Sequence, residues 1–378
     1  MSGRIPAKPV ALIRCRSAGR LRGFIRNRIL LAGWRPRALP IGPADAVAER
    51  ELALLVGPTM LAPVTAALDG ADTLAGRIGG CARDAYTVLY GCAALAVLFA
   101  ACGVAATGNN TALNLLVLAE LLMLLILVVT FRNAHRASWH SHWLALRFHG
   151  EFLRCLPIMA AMRADSLHAR QARDGRDGRV DAPASSAPHL VALVAHHGRA
   201  ATADAGEQAA AQRAARAHLY EQLHARFLLD PAPYAQRALA YARTLAAQQL
   251  RYHCFRAQQE QTVVHRVHML SIGAFGLTIV AVLAHFWWHA ALLTIICTGV
   301  PAFAASLHGF VAQEESERLA ASYGAMAVRL QAWLDLDNAD GGALASMQER
   351  LAELVELMMS EVQDWHRLFG EKGMYHLG

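Results

Sequence analysis

Charge is scarce in this chain, and acidic charge is absent from its start. Asp, Glu, Lys and Arg together make up 17% of the 378 residues, and no acid precedes Asp45. A chain this poor in charge and 55% hydrophobic departs from the composition of ordinary soluble domains and points to the membrane class. The seven cysteines, Cys15, Cys81, Cys92, Cys102, Cys155, Cys254 and Cys297, form no CxxC pair, which argues against a zinc site or a disulfide framework and for small buried hydrophobes. Phosphate-loop, strand-framed GxGxxG, GxSxG and HExxH signatures are all missing, so the expectation is a protein that is not an enzyme and carries no cofactor and no metal.

The net charge of +7 is a local feature: Arg4, Lys8, Arg14, Arg16, Arg20, Arg22, Arg26, Arg28, Arg35 and Arg37 all precede the first acid. Residues 1–70 are expected to be a basic, disordered arm. It could touch anionic headgroups, resemble an organelle-targeting peptide, or be an extension from a misassigned start. Nucleic acid is not an expected partner.

Four uncharged or nearly uncharged runs follow: Val88–Ala106, Ala112–Phe131, Met269–Phe286 and Ala290–Phe310. Each is long enough at 1.5 Å per residue to cross about 30 Å of hydrocarbon. They come in pairs joined by short turns, one of Thr107, Gly108, Asn109 and Asn110, the other of Trp287, Trp288 and His289. The predicted fold is an all-α membrane protein with four transmembrane helices in two hairpins and long cytoplasmic helical extensions. Pro301 is expected to kink the fourth span. Arginines flank the open ends of the hairpins (Arg77, Arg83, Arg132, Arg136, Arg147, Arg251, Arg256, Arg266) and are absent from the turns. The positive-inside rule then puts both termini and the long central segment of a multi-pass membrane protein in the cytoplasm.

The predicted organisation is an arm to residue 70, a first hairpin with its cytoplasmic helix over 71–170, a Gly, Asp, Pro and Ser-rich linker over 171–205, and a second hairpin with cytoplasmic helices over 206–378. Within the first unit, helix is expected from Arg132 to about Arg170 with a break near Pro157. Each half reads as an approach helix, a hairpin and a trailing helix. Leu351, Leu354, Met358 and Trp365 lie on a near-heptad stripe that predicts an oligomer or partner surface.

Glu120 falls near the middle of the second run, where an ionised carboxylate is costly unless it faces protein or water. It could line a conduction path built from several subunits, stay protonated and bond across a helix interface, or pack as a neutral side chain. Ala93, Ala96, Ala100 and Gly103 share one face of the first run and permit close helix approach. Pore and helix-interface roles are therefore assigned to these five. His135, His140, His142 and Glu151 offer a third possibility, a membrane-proximal enzyme, while His285 and His289 read as interfacial anchors rather than metal ligands.

Three segments carry a family resemblance: ADTLAGRIGGCARDAYTVLYGCAALAV around the first run, SWHSHWLALRFHGEFLR after the second and LAAQQLRYHCFRAQ before the third. Together they resemble SLATT proteins, the SMODS and SLOG-associating two-helix transmembrane effectors, in the variant with four spans. Trp139, Trp143, Arg147, Glu151 and Arg154 carry the likeness after one hairpin, and Arg251, Tyr252 and His253 before the other. Phe152 departs from it where a polar residue is expected, and the first seventy residues are too short for a SLOG domain. The resemblance implies a pore-forming or membrane-perturbing effector of antiviral conflict, homo-oligomeric in the bilayer and triggered through a separate nucleotide-sensing protein. A membrane scaffold that recruits a soluble sensor or enzyme is the alternative.

Overall fold

The computed structural model describes residues 44–106, 108–137, 139–162, 203–313, 315–336 and 343–370, with the backbone alone for 44–46, 135–137, 139–142, 203–215, 313 and 362–370. Among these residues every regular element is a helix: α1 (Ala44–Val56), α2 (Pro58–Ala105), α3 (Asn110–Ala137), α4 (Trp139–Met159), α5 (Ala203–Leu229), α6 (Pro231–Trp287), α7 (Ala291–Gln313), α8 (Ser316–Asp335) and α9 (Leu344–Gly370).

Local chemistry sets the boundaries. Gly57 takes a positive φ of 75°, and Pro58 opens α2 behind it. Asp230 and then Pro231 open α6. A proline costs nothing at a first helical position, where its missing N–H would have no partner in any case. At the tip of the first hairpin, Asn109 Oδ1 accepts the Ala112 N–H at 3.0 Å and so caps α3. α7 is continuous through Pro301.

The chain is an all-α membrane protein: α2, α3, α6 and α7 each contain a stretch long and apolar enough to span a bilayer. None of the apolar stretch of α3 is buried inside the protein. Leu118 and Leu121 are each 61% exposed and Phe275 on α6 is 67% exposed. A contiguous apolar surface of this extent has no stable place in water and is solvated by hydrocarbon. The four helices lie in a row, α3 on α2, α2 on α7 and α7 on α6, which leaves α3 and α6 as edges. Contact within the row is close where glycine permits it. A Cβ on Gly309 of α7 would sit 2.6 Å from a ring carbon of Tyr90 on α2.

The long helices continue out of the apolar region into a second, larger packing unit. There α4 runs back along α2, α8 runs back along α6, α1 packs on α6 and α2, and α9 fills the groove between α4 and α6. Its core includes Leu55, Leu153, Leu156, Ile158, Leu223, Leu330, Leu351, Leu354 and Met359. The two halves share an order: a helix, a proline-started long helix, a hairpin, and a helix that folds back on its own long helix.

Two expectations are refined by the structure. Residues 44–70 are not a disordered arm, because Ala48, Leu52, Leu55 and Val56 form a 4-3-1 spaced apolar stripe on α1 that is buried in the extramembrane core with Val64. Residues 1–43 lie outside the described residues, as does the expected linker apart from 203–205, which begin α5. Within the described residues the helix expected over 132–170 is two helices, α3 to Ala137 and α4 from Trp139 to Met159; α4 includes Pro157 and ends two residues beyond it, in line with the break expected near that proline.

Candidate functional site

Beyond the apolar region, α2, α4, α6, α8 and α9 enclose a buried network of charged and aromatic side chains. Its centre on α6 lies sixteen residues before Met269, about 24 Å along the helix axis.

α4 supplies Arg147, Glu151 and Arg154 at positions i, i+4 and i+7, one face of the helix. Glu151 is 2% exposed. Its Oε1 receives Arg154 Nη1 at 2.8 Å, and Arg147 Nη2 lies 3.3 Å from the same oxygen. Arg154 also pairs through Nη2 with Asp72 of α2, and its carbonyl accepts the Tyr241 hydroxyl of α6 at 3.3 Å. One carboxylate thus holds two guanidinium groups, and one of those reaches a third helix.

On α6, the Tyr252 ring is flanked by the guanidinium carbons of Arg147 at 5.7 Å and Arg256 at 5.4 Å, and it meets Tyr323 of α8 edge-on at 6.2 Å. Beside it, His253 is fully buried, 5.5 Å from the Tyr323 ring. His253 Nε2 lies 3.4 Å from Glu361 Oε2 of α9.

Burial alone would lift the Glu151 carboxyl, but Arg147 and Arg154 outweigh it and hold the group below the usual carboxylate range. For Arg147, burial opposes the charge, and Glu151 and then Tyr252 more than restore it. The two phenols move apart: burial would raise Tyr252, yet Arg147 and Arg256 lower it, while burial and the neighbouring Tyr252 push Tyr323 well up. A network of this kind stays ionised as long as its members remain together, since losing one partner strands a buried charge. It fixes the stems of both hairpins to the bundle. It presents no nucleophile aligned with a base, and among the described residues no group of three or more His, Cys, Asp or Glu converges as a metal site.

The residues singled out in the sequence fall into three sets. Arg147, Glu151, Arg154, Tyr252 and His253 come together in the network. Trp143 lies nearby with its indole 2.7 Å from where a Cβ on Gly79 of α2 would stand, so the glycine provides the notch for the ring. Arg251 is half-buried and makes no ion pair among the described residues. The side chains of Trp139, His135, His140, His142 and Trp365 lie outside those described.

The second set is in the apolar region. On α2, Ala96 and Gly103 are buried, and Ala93 and Ala100 are half-buried. Gly103 faces Leu113 of α3. Seven residues beyond Leu113 is Glu120 and seven before Gly103 is Ala96, so the antiparallel register brings Glu120 level with Ala96. Glu120 is half-buried and belongs to the stripe of α3, with Leu116 and Met123, that is less exposed than the rest of that helix. It has no hydrogen bond or ion pair among the described residues.

The third set requires a correction. Leu351, Leu354 and Met358 were expected to present an oligomer or partner surface, but they are 0%, 0% and 2% exposed, packed between α4 and α6 of their own chain. A heptad stripe needs a partner, and here the same chain supplies it.

Sequence reasoning missed Asp72, Tyr323 and Glu361 as members of the site and took Arg256 for a flanking charge only. The reading of the cysteines as buried hydrophobes holds for Cys92 and Cys155, which are free and buried, and not for Cys81. Cys92, Cys102, Cys155, Cys254 and Cys297 are free, and Cys81 is disulfide-bonded. His285 and His289 do meet, with ring centroids 5.5 Å apart, at the α6–α7 turn.

No protein-family model matches the chain, and no similar protein is found among curated sequences or solved structures.

Proposed function

We propose that this protein is a multi-pass bacterial inner-membrane effector with both termini in the cytoplasm, and that it assembles with copies of itself to open or perturb the bilayer. The observation that carries this reading is Glu120. It is an acid near the middle of an apolar helix at the edge of a four-helix row, half-buried and without a partner among the described residues. A carboxylate in such a place is expensive unless water, a proton or another subunit completes it.

The extramembrane bundle suits the role of a receiver, because its buried ionic network is tied to the stems of both hairpins. A change imposed on α9 or α4 therefore acts on α2 and α6, which enter the apolar region. The resemblance to SLATT effectors supplies the context of antiviral conflict and a separate nucleotide-sensing partner. Assembly in this account uses the exposed apolar helices and not the Leu351, Leu354 and Met358 stripe. The burial of Leu351, Leu354 and Met358 supports this reading over the scaffold alternative, which assigned them to a partner surface.

The test is leakage of dye and ions from liposomes holding the purified protein, wild type beside Glu120→Ala, at matched insertion and assembly. Leakage that depends on Glu120 supports the effector; an intact bilayer under every signalling condition contradicts it.

A further inference from the structure

At the membrane-distal end of the extramembrane bundle, a cleft of about 550 Å³ opens between the end of α4, the α5–α6 corner and the first turn of α9. Its position follows from α6: Pro231 on its rim is thirty-eight residues before Met269, about 57 Å along the axis. The volume falls within the range of small-molecule sites.

One wall is an aromatic ladder on α5. Tyr220 and His224 stack at 5.6 Å with 6° between their planes, and His224 and Phe227 at 5.7 Å with 26°. Met162, just past α4, and Leu344 of α9 add apolar surface. Among the described residues, no Asp, Glu, Lys or Arg lines the cleft.

Three polar side chains, Tyr220, His224 and Gln348, stand among the described lining, and the last two are each held by one end. His224 Nδ1 lies 2.9 Å from the Ala160 carbonyl, which can only accept, so the proton sits on Nδ1 and the neutral ring offers Nε2 as an acceptor. Gln348, 3% exposed, donates Nε2 to the Ala161 carbonyl at 2.8 Å, which leaves Oε1 as its remaining acceptor. Neither Nε2 of His224 nor Oε1 of Gln348 has a partner among the described residues. His224 and Gln348 thus present acceptors, fixed in place by their bonds to the turn that follows α4.

We propose that this cleft binds a small, uncharged, flat aromatic ligand that carries hydrogen-bond donors. The ladder supplies a surface for the ring. The two acceptors select N–H or O–H groups, because a ligand without them would desolvate the acceptors and return nothing. The described lining offers no cation to pair with a phosphorylated ligand. The site joins α4 of the first half to α5 and α9 of the second, so an occupant would bridge the halves. This inference does not depend on the membrane activity proposed above.

The probe is 5-aminoindole, uncharged near neutral pH and carrying two donor groups, compared with 1-methylindole, which has none. Binding to the full chain in detergent is followed by equilibrium dialysis and by saturation transfer to the ligand. The expected result is that 5-aminoindole binds at least about ten-fold more tightly than 1-methylindole, and that Gln348→Met and His224→Phe each remove most of that preference. Helix content and melting temperature are checked for both variants. His224→Phe keeps the ring stack, and it decides the question should Gln348→Met fail to fold. Equal affinity for the two probes, no binding of either, or a preference unchanged in a folded variant would overturn the proposal.

Discussion

Glu361 of α9 reaches the fully buried His253 of α6, with Oε2 3.4 Å from Nε2, and the contact fastens the last described helix to the stem of the second hairpin. Glu361→Gln is expected to loosen α9 by on the order of 2 kcal/mol. That is less than the 3–5 kcal/mol of a well-aligned buried pair, since the contact lacks hydrogen-bond alignment. Hydrogen exchange over 344–361 measures it, and α9 amides that exchange no faster in the variant would refute the fastening role.

Acid should act on the bundle in two windows. Burial, and then Arg216 beside it, lower His149 from its ordinary value to about 4. Its folded pKa is depressed, so the unfolded chain binds the extra proton. Stability is therefore lost as pH falls from about 6.5 towards 4. His149→Gln is expected to flatten that limb of a chemical-denaturation profile taken in detergent.

Glu151 marks the lower window. Its depressed carboxyl contributes stability that is fully present above the unfolded value of about 4.3 and is lost as pH falls through the folded one. Glu151→Gln should lower stability at pH 7, where Arg147 and Arg154 lose their shared anion, and should weaken the acid dependence below about pH 4. A variant as stable as the wild type at pH 7 would show that the network carries no energy.

Gly79→Ala places a methyl where the Trp143 indole now lies, with the nearest ring atoms 2.7 Å away. The ring must shift, at a cost of about 1–3 kcal/mol. A lowered melting temperature would be expected, and its absence would mean that the notch is not required.

The four apolar helices were legible because runs such as Ala112–Phe131 admit almost no other structure, and Thr107–Asn110 spelled out the turn between the first two. The network was half legible. Arg147, Glu151 and Arg154 repeat on one helical face, so their shared location could be read locally. Asp72, Tyr323 and Glu361 join them from other helices, and nothing in the local spacing of those residues signals that meeting. The α9 stripe shows a further limit. Leu351, Leu354 and Met358 ask for an apolar partner, and the pattern is the same whether that partner is a second molecule or, as found, α4 and α6 of the same chain. Arginines and prolines in the first 43 residues obscured the short apolar stripe of α1 that follows them.

Leu354→Asp separates these two origins. Placing a carboxylate at a site with 0% exposure should destabilise the bundle by about 3–5 kcal/mol, seen as early melting. A variant that melts as the wild type does but no longer self-associates would return the stripe to an intermolecular role.

The central claim rests on Glu120, and the most direct measurement is time-resolved dye release from liposomes containing wild-type protein or Glu120→Ala, at equal reconstituted amounts and equal assembly by crosslinking. The runs are made with and without nucleotide signals and a co-encoded partner. The account predicts release by the wild type that Glu120→Ala changes. Release identical in the two proteins, or no release under any condition, would contradict it.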